Sequence, residues 1–103
     1  MSERLTKLLE LLKEMPDDVF LVYGIALEYV SKNDDIMAQQ YFYEIKTRHS
    51  SYLALYYQLG KLLERQQKPT EAAEIYNLGI SLARNQKDLH TMSELQNALD
   101  ELE

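Results

Sequence analysis

The spacing of apolar residues restricts this chain to α-helices. In the first stretch, leucines recur at intervals of three or four residues, which places them on one helical face: Leu5, Leu8, Leu9 and Leu12. Helical spacing continues through the later stretches, and none of them alternates apolar and polar residues as a half-buried strand would. The sequence therefore predicts an all-α protein of about six helices.

Short polar segments divide these helices, and each segment carries a start or stop signal. Carboxylates and hydroxyls accept hydrogen bonds from the first turn of a helix, and proline fits its first position. The second to sixth helices are expected to begin at Asp17–Asp18, Asp34–Asp35, Ser50–Ser51, Pro69 and Asp88. In chain order, the six helices are expected to end near Glu14, Ser31, Arg48, Gln66, Arg84 and Leu102.

The composition of the chain argues against several classes of protein. Apolar residues make up 46% of the chain, which is too many for a disordered polypeptide. Cysteine is absent, as suits a reducing compartment, and the N-terminal segment has neither the apolar run of a signal peptide nor that of a membrane span. We therefore expect a cytoplasmic protein without membrane association. The net charge of −6 argues against nucleic-acid binding, which draws its affinity from Lys and Arg on phosphates.

No pattern in the sequence points to catalysis, a metal or a cofactor. The two histidines, His49 and His90, have no histidine or cysteine at metal-ligand spacing. The paired aspartates stand at helix starts, where capping explains them, and no glycine-rich loop precedes a helix to hold a phosphate. We expect a protein that is not an enzyme and has no cofactor.

The chain also repeats with a period of 34 residues, because residues 19–52 and 53–86 match in character and in the positions of their turns. The identical pairs are Leu21 with Leu55, Tyr23 with Tyr57, and Ala38 with Ala72. The second repeat reads Tyr56-x2-Leu59-Gly60-x2-Leu63 and then Ala72-x3-Tyr76. The first reads Val22-x2-Ile25-Ala26-x2-Tyr29 and then Ala38-x3-Phe42.

These patterns resemble the tetratricopeptide repeat, a helix–turn–helix unit of 34 residues. Its closing proline is missing from both repeats, where Ser50 and Arg84 stand. The resemblance implies an α-solenoid of antiparallel helix hairpins in a single domain, 1–103. It divides that domain into an N-terminal helix (1–18), repeat 1 (19–52), repeat 2 (53–86) and a C-terminal capping helix (87–103).

The resemblance also explains why glycines occur inside the predicted helices. Gly60 and Ala72 are expected to meet where two helices cross, with Tyr56, Leu63 and Tyr76 packed around them. Ala26 and Ala38 would do the same in repeat 1, with Tyr29 and Phe42 as core. Gly79 would admit another helix, whereas Gly24 is either a tolerated helical glycine or an opening in the surface that it faces.

Family members bind protein ligands on a concave surface lined by the first helix of each repeat. By resemblance, the ligand-facing residues here are Phe20, Tyr23, Leu27, Tyr57, Lys61 and Glu64, with Arg65 beside them. Aromatic side chains on an accessible surface are typical binding anchors. The resemblance thus implies a protein-interaction module that binds a peptide or helix of a protein partner. The alternatives are that the tyrosines only pack on neighbouring helices and that the cations are merely solvated.

A second hypothesis is structural. Leu8 and Leu11 occupy positions that a preceding helix would cover in a longer array, so we expect a partly exposed apolar face there. That face would support weak homodimerisation. The last helix differs, because the positions where its own second helix would pack are polar: His90, Ser93, Glu94 and Asn97. This pattern is typical of a capping helix.

Overall fold

The computed structural model describes residues 2–102, and this part of the chain contains six helices and no strand. The helices are α1 (Glu3–Glu14), α2 (Val19–Ser31), α3 (Asp35–Arg48), α4 (Ala54–Arg65), α5 (Pro69–Asn85) and α6 (Leu89–Asp100). The predicted all-α helical repeat is confirmed. The chain divides into two compact units, Met1–Tyr52 and Leu53–Glu103.

Unit 1 is built around α2, which packs against α1 on one side and α3 on the other. Ala26 and Ala38 are fully buried, as expected of small residues where α2 and α3 approach closely. The remaining core side chains are Leu5, Val22, Ile25, Phe42 and Ile45. Tyr29 was expected in this core, but it is half-buried and stacks on Tyr41 with ring centroids 5.8 Å apart.

Unit 2 is built around α5, which packs against α4 and α6. A Cβ added at Gly60 would lie 2.2 Å from Cε1 of Tyr76, so the missing side chain makes room for that ring. The expected close crossing is present, and the three atoms nearest to a Cβ at Gly60 all belong to the Tyr76 ring. A Cβ at Gly79 would lie 2.6 Å from Cβ of Tyr56 and 2.8 Å from Cδ1 of Leu95. Gly79 therefore admits a neighbouring helix, as predicted.

Three turns share one backbone conformation. Asn33, Gln67 and Lys87 each follow the end of a helix with φ close to 60°, the left-handed conformation that commonly terminates helices. In each turn the next residue donates its N–H to a carbonyl five residues earlier: Asp34 to Tyr29 at 3.0 Å, Lys68 to Leu63 at 2.9 Å and Asp88 to Ala83 at 2.9 Å. Asn33 and Gln67 are 34 residues apart in the sequence, so the turn recurs with the sequence period.

The helix starts agree with the sequence except in α4. Asp18, Asp34 and Asp88 cap α2, α3 and α6, and Pro69 is the first residue of α5. The prediction that Ser50 or Ser51 caps α4 is wrong. Both serines lie in the preceding turn, and α4 begins after Leu53 without a side-chain cap.

Candidate partner-binding surfaces

Unit 1 presents a cluster of aromatic rings that we call the unit 1 patch: Phe20, Tyr23, Leu27 and Tyr52. Phe20 is 73% exposed, yet its ring stands edge-on to Tyr52, with centroids 5.8 Å apart and planes at 88°. Tyr23 lies 5.2 Å from the same Tyr52 ring, also edge to face, and Leu27 is half-buried. Tyr52 thus contacts both aromatic residues predicted to bind a ligand in this unit.

The local sequence explains why Phe20 projects from the start of α2. The Asp18 carboxylate accepts hydrogen bonds from the backbone N–H groups of Phe20 at 2.9 Å and Leu21 at 3.3 Å. These bonds satisfy two donors that a helix start otherwise leaves unpaired, so the first turn is held in place. Tyr23 and Leu27 follow Phe20 by three and seven residues and share its side of α2.

Unit 2 presents a second aromatic residue, Tyr57, on α4. Its side chain is 36% exposed, and Nζ of Lys61 lies 5.5 Å from its ring centroid. The same Nζ lies 3.6 Å from Oε2 of Glu64. Because the ring face is electron-rich and the carboxylate is anionic, Lys61 is held between two favourable contacts. We call Tyr57, Lys61, Glu64 and Arg65 the unit 2 patch.

Glu64 contributes to packing within unit 2 as well as to its surface. Its carboxylate accepts a hydrogen bond from the hydroxyl of the buried Tyr76, the tyrosine whose ring fills the space at Gly60. Burial, followed by this hydrogen bond and the carboxylate charge, raises the pKa of the Tyr76 hydroxyl well above its ordinary value. Arg65 is exposed at the last residue of α4.

A small cleft between α4 and α6 adjoins Tyr57 and Lys61. Its volume is about 160 Å³, and α6 supplies the rest of its lining: Glu94, Asn97, Ala98 and Glu101. Sequence reasoning assigned Glu94 and Asn97 only to the polar face of a capping helix. Their spacing on α6 showed the polar face, but not that α4 places an aromatic ring and a cation beside it.

The face of α1 that the sequence singled out is partly apolar. Leu11 is 42% exposed, and Met15, just after the helix, is exposed as well. Leu8 is half-buried, and its Cδ1 would lie 3.6 Å from a Cβ placed at Gly24. Gly24 therefore faces α1 across an ordinary van der Waals distance.

Between residues 2 and 102, no group of three or more His, Cys, Asp or Glu side chains is arranged to hold a metal ion. Across the same range, none of the helices combines the length and apolar character needed to cross a bilayer.

Two solved structures are similar to this chain in both sequence and fold. The solution structure of a tetratricopeptide repeat domain protein from Salinibacter ruber is 34% identical, with 85% of this chain and 89% of that chain covered and a TM-score of 0.82. A crystal structure of a tetratricopeptide repeat domain protein from the same organism is 33% identical, with 82% and 96% covered and a TM-score of 0.79.

A solution structure of a protein from Bordetella parapertussis shares the fold. It is 22% identical, with 99% of this chain and 89% of that chain covered and a TM-score of 0.86. No family model matches the sequence, and no curated protein does.

Proposed function

Because the chain belongs to the tetratricopeptide repeat family, whose members are in general protein–protein interaction modules, we propose that it binds a peptide or helix of a protein partner through its two aromatic patches. In this proposal it catalyses no reaction and acts as a scaffold or adaptor. Each unit contributes one patch, and the first helix of a repeat carries the anchors in both.

The observation that carries the proposal is the exposure of Phe20. A phenylalanine that leaves 73% of its surface in water gains little from the folded chain. Its backbone is nevertheless held by the Asp18 cap at the helix start, and its ring makes an edge contact with Tyr52. An accessible aromatic ring that already rests on a neighbouring ring has less conformational entropy to lose when a partner covers it, and aromatic residues are typical hot spots.

The unit 2 patch suits the polar part of a ligand. Tyr57 offers a ring face and a hydroxyl, and Lys61 lies close enough to pair with an acidic group on the ligand. Glu94 and Glu101 on the other wall of the cleft can pair with a basic group. A ligand with charged groups beside an apolar anchor therefore suits the unit 2 patch better than a wholly apolar ligand does.

The proposal is tested by display selection of peptides on the full-length protein, followed by titration of a recovered peptide against single variants. Phe20→Ala, Tyr23→Ala and Tyr57→Ala should each weaken binding by about thirtyfold or more, the effect of truncating a buried aromatic anchor. Thermal unfolding accompanies each titration, because Tyr23 also contacts Phe42. A Tyr76→Ala variant sets the scale for the loss of a core tyrosine.

The chain offers matched controls on helices outside the patches. Ile36 on α3 is 72% exposed, almost as much as Phe20 in the same unit. Leu78 on α5 is 49% exposed, more than Tyr57 in unit 2. Ile36→Ala and Leu78→Ala should change affinity by less than about threefold. If these controls weaken binding as much as Phe20→Ala, or if folded patch variants bind normally, the binding surface lies elsewhere. If Tyr23→Ala and Tyr57→Ala unfold as readily as Tyr76→Ala, these tyrosines are core residues.

A further inference from the structure

Helix α1 carries an outward face on which apolar and charged side chains form an ordered pattern. The apolar part consists of Leu8, Leu11 and Met15, of which Leu11 is 42% exposed. Two shallow depressions run along this helix, and both are lined by α1 side chains. The first is lined by Glu3, Arg4, Lys7 and Leu8, and the second by Lys7, Glu10, Leu11 and Glu14.

The charges beside the apolar contact have a direction, although α1 also carries Glu3 in its first turn and Lys13 in its last. Lys7 lies on the N-terminal side of Leu8 and Leu11, and Glu14 lies on their C-terminal side. A copy of the same helix therefore complements this face only when it runs the other way. We propose that α1 pairs antiparallel with α1 of a second copy of the chain, as a self-association surface separate from the aromatic patches.

The register follows from the helical spacing. Around a two-fold axis between residues 8 and 11, Leu8 of one copy packs on Leu11 of the other. The positions flanking this contact then pair Lys7 of each copy with Glu14 of the other, which gives two opposite-charge pairs per dimer. A parallel pairing would instead place Lys7 beside Leu12 of the other copy, so it would form neither opposite-charge pair. The opposed helix dipoles also favour the antiparallel arrangement.

Lys7 can exchange its present partner at little cost. Its ion pair is with Glu3 on the same helix, at 4.0 Å, and the two side chains are 72% and 88% exposed. Such an exposed pair contributes little to stability. Arg4 differs, because its Nε lies 3.7 Å from Oε2 of Glu28 on α2, so the register above leaves Arg4 with its own unit.

One helix pair buries less surface than a standard stable interface, so the dimer should be weak, with a Kd of about 10 to 100 μM. Sedimentation equilibrium of the full chain over a concentration range that spans this Kd is the test. Lys7→Glu and Glu14→Lys should each raise the dimer Kd by about tenfold or more, because each creates two like-charge pairs. Leu11→Asp should do the same by placing a charge in the apolar contact.

The antiparallel register predicts which combinations restore association. An equimolar mixture of the Lys7→Glu and Glu14→Lys chains should dimerise like the wild type, since both cross pairs then join opposite charges. A chain carrying both substitutions should also regain self-association. Lys13→Glu, on the opposite side of α1, is the matched control and should leave the Kd within about threefold.

Circular dichroism on every variant separates lost association from lost folding. A wild type that stays monomeric at the highest concentration overturns the proposal. So does a dimer that persists in folded Leu11→Asp, or a failure of the folded charge-reversed chains to associate when mixed. If a second copy docks through another surface instead, none of the α1 substitutions alters the Kd, which also overturns it.

Discussion

Two helical glycines with different surroundings predict opposite effects of the same substitution. In Gly60→Ala the new Cβ would lie 2.2 Å from the ring of Tyr76, which is fully buried and hydrogen-bonded to Glu64. The clash should outweigh the gain in helix propensity and lower the free energy of unfolding by about 2 kcal/mol or more. In Gly24→Ala the nearest atom lies 3.6 Å away, so stability should rise by about 0.5 to 1 kcal/mol.

Denaturant unfolding of both variants measures this difference. Tyr76→Leu identifies the cause, because it removes the ring that the new Cβ would meet. Tyr76→Leu should lower the free energy of unfolding by about 1 kcal/mol less in the Gly60→Ala protein than in the wild type. A raised unfolding midpoint for Gly60→Ala would show that the glycine has no role in close packing. Equal losses at Gly60 and Gly24 would mean that backbone effects alone decide the result.

The left-handed turn residues offer a stabilising substitution. Gln67 is exposed and holds φ at 61°, a conformation that costs a residue with a Cβ about 1 to 2 kcal/mol and glycine almost nothing. After the extra freedom of glycine in the unfolded chain is subtracted, Gln67→Gly should raise the free energy of unfolding by about 0.5 to 1 kcal/mol. Gln67→Ala keeps the Cβ and should change little. Denaturant unfolding in which alanine matches glycine would contradict this explanation.

At the scale of helices, two adjacent aspartates have separate roles. Asp18 caps α2 through two backbone hydrogen bonds, whereas Asp17 pairs with Arg48 at the surface, where the two side chains are 74% and 48% exposed. Asp18→Ala should therefore lower the free energy of unfolding by about 1 kcal/mol, and Asp17→Ala by less than about 0.5 kcal/mol.

Hydrogen exchange adds a local measurement to this comparison. Loss of the Asp18 cap should increase exchange of the first amides of α2, which carry Phe20, without a matching change at the start of α3. Similar global losses for the two alanine variants, or an unchanged first turn in Asp18→Ala, would contradict the assignment of the cap.

The helices could be predicted from the sequence because most of their signals are local. An aspartate before an apolar run supplies its own capping oxygen, and this held at Asp18, Asp34 and Asp88. Ser50 and Ser51 have the same chemistry but lie in a turn, since the backbone between α3 and α4 decides whether a hydroxyl reaches an amide.

The surroundings of the candidate surfaces were harder to predict, because they depend on contacts through space. The family resemblance implied that Phe20 and Tyr23 face the same surface, but it did not indicate that Tyr52, after the end of α3, packs against both rings. The spacing of Glu94 and Asn97 indicated a polar helix face, whereas their position across a cleft from Tyr57 depends on how α5 holds α4 and α6.

At the scale of the whole molecule, charge distinguishes between ligands with the same anchors. The chain carries 17 acidic and 11 basic residues, for a net charge of −6. A field of this sign attracts basic ligands at long range and repels acidic ones, so its main effect is on the association rate. The local pairs at Lys61 act only after the ligand has docked, and they chiefly affect the dissociation rate.

The different effects on association and dissociation rates can be tested with the recovered peptide and two extended forms of it. One form carries about three added lysines outside the anchor, and the other carries about three added glutamates. At about 20 mM salt the lysine form should associate about tenfold faster than the glutamate form. At about 0.5 M salt, where the screening length falls well below 10 Å, the association rates should converge while the dissociation rates change less than about threefold. Stopped-flow fluorescence measures both rates. If the two forms associate equally fast at low salt, the net charge does not steer the ligand and recognition depends on the patches alone.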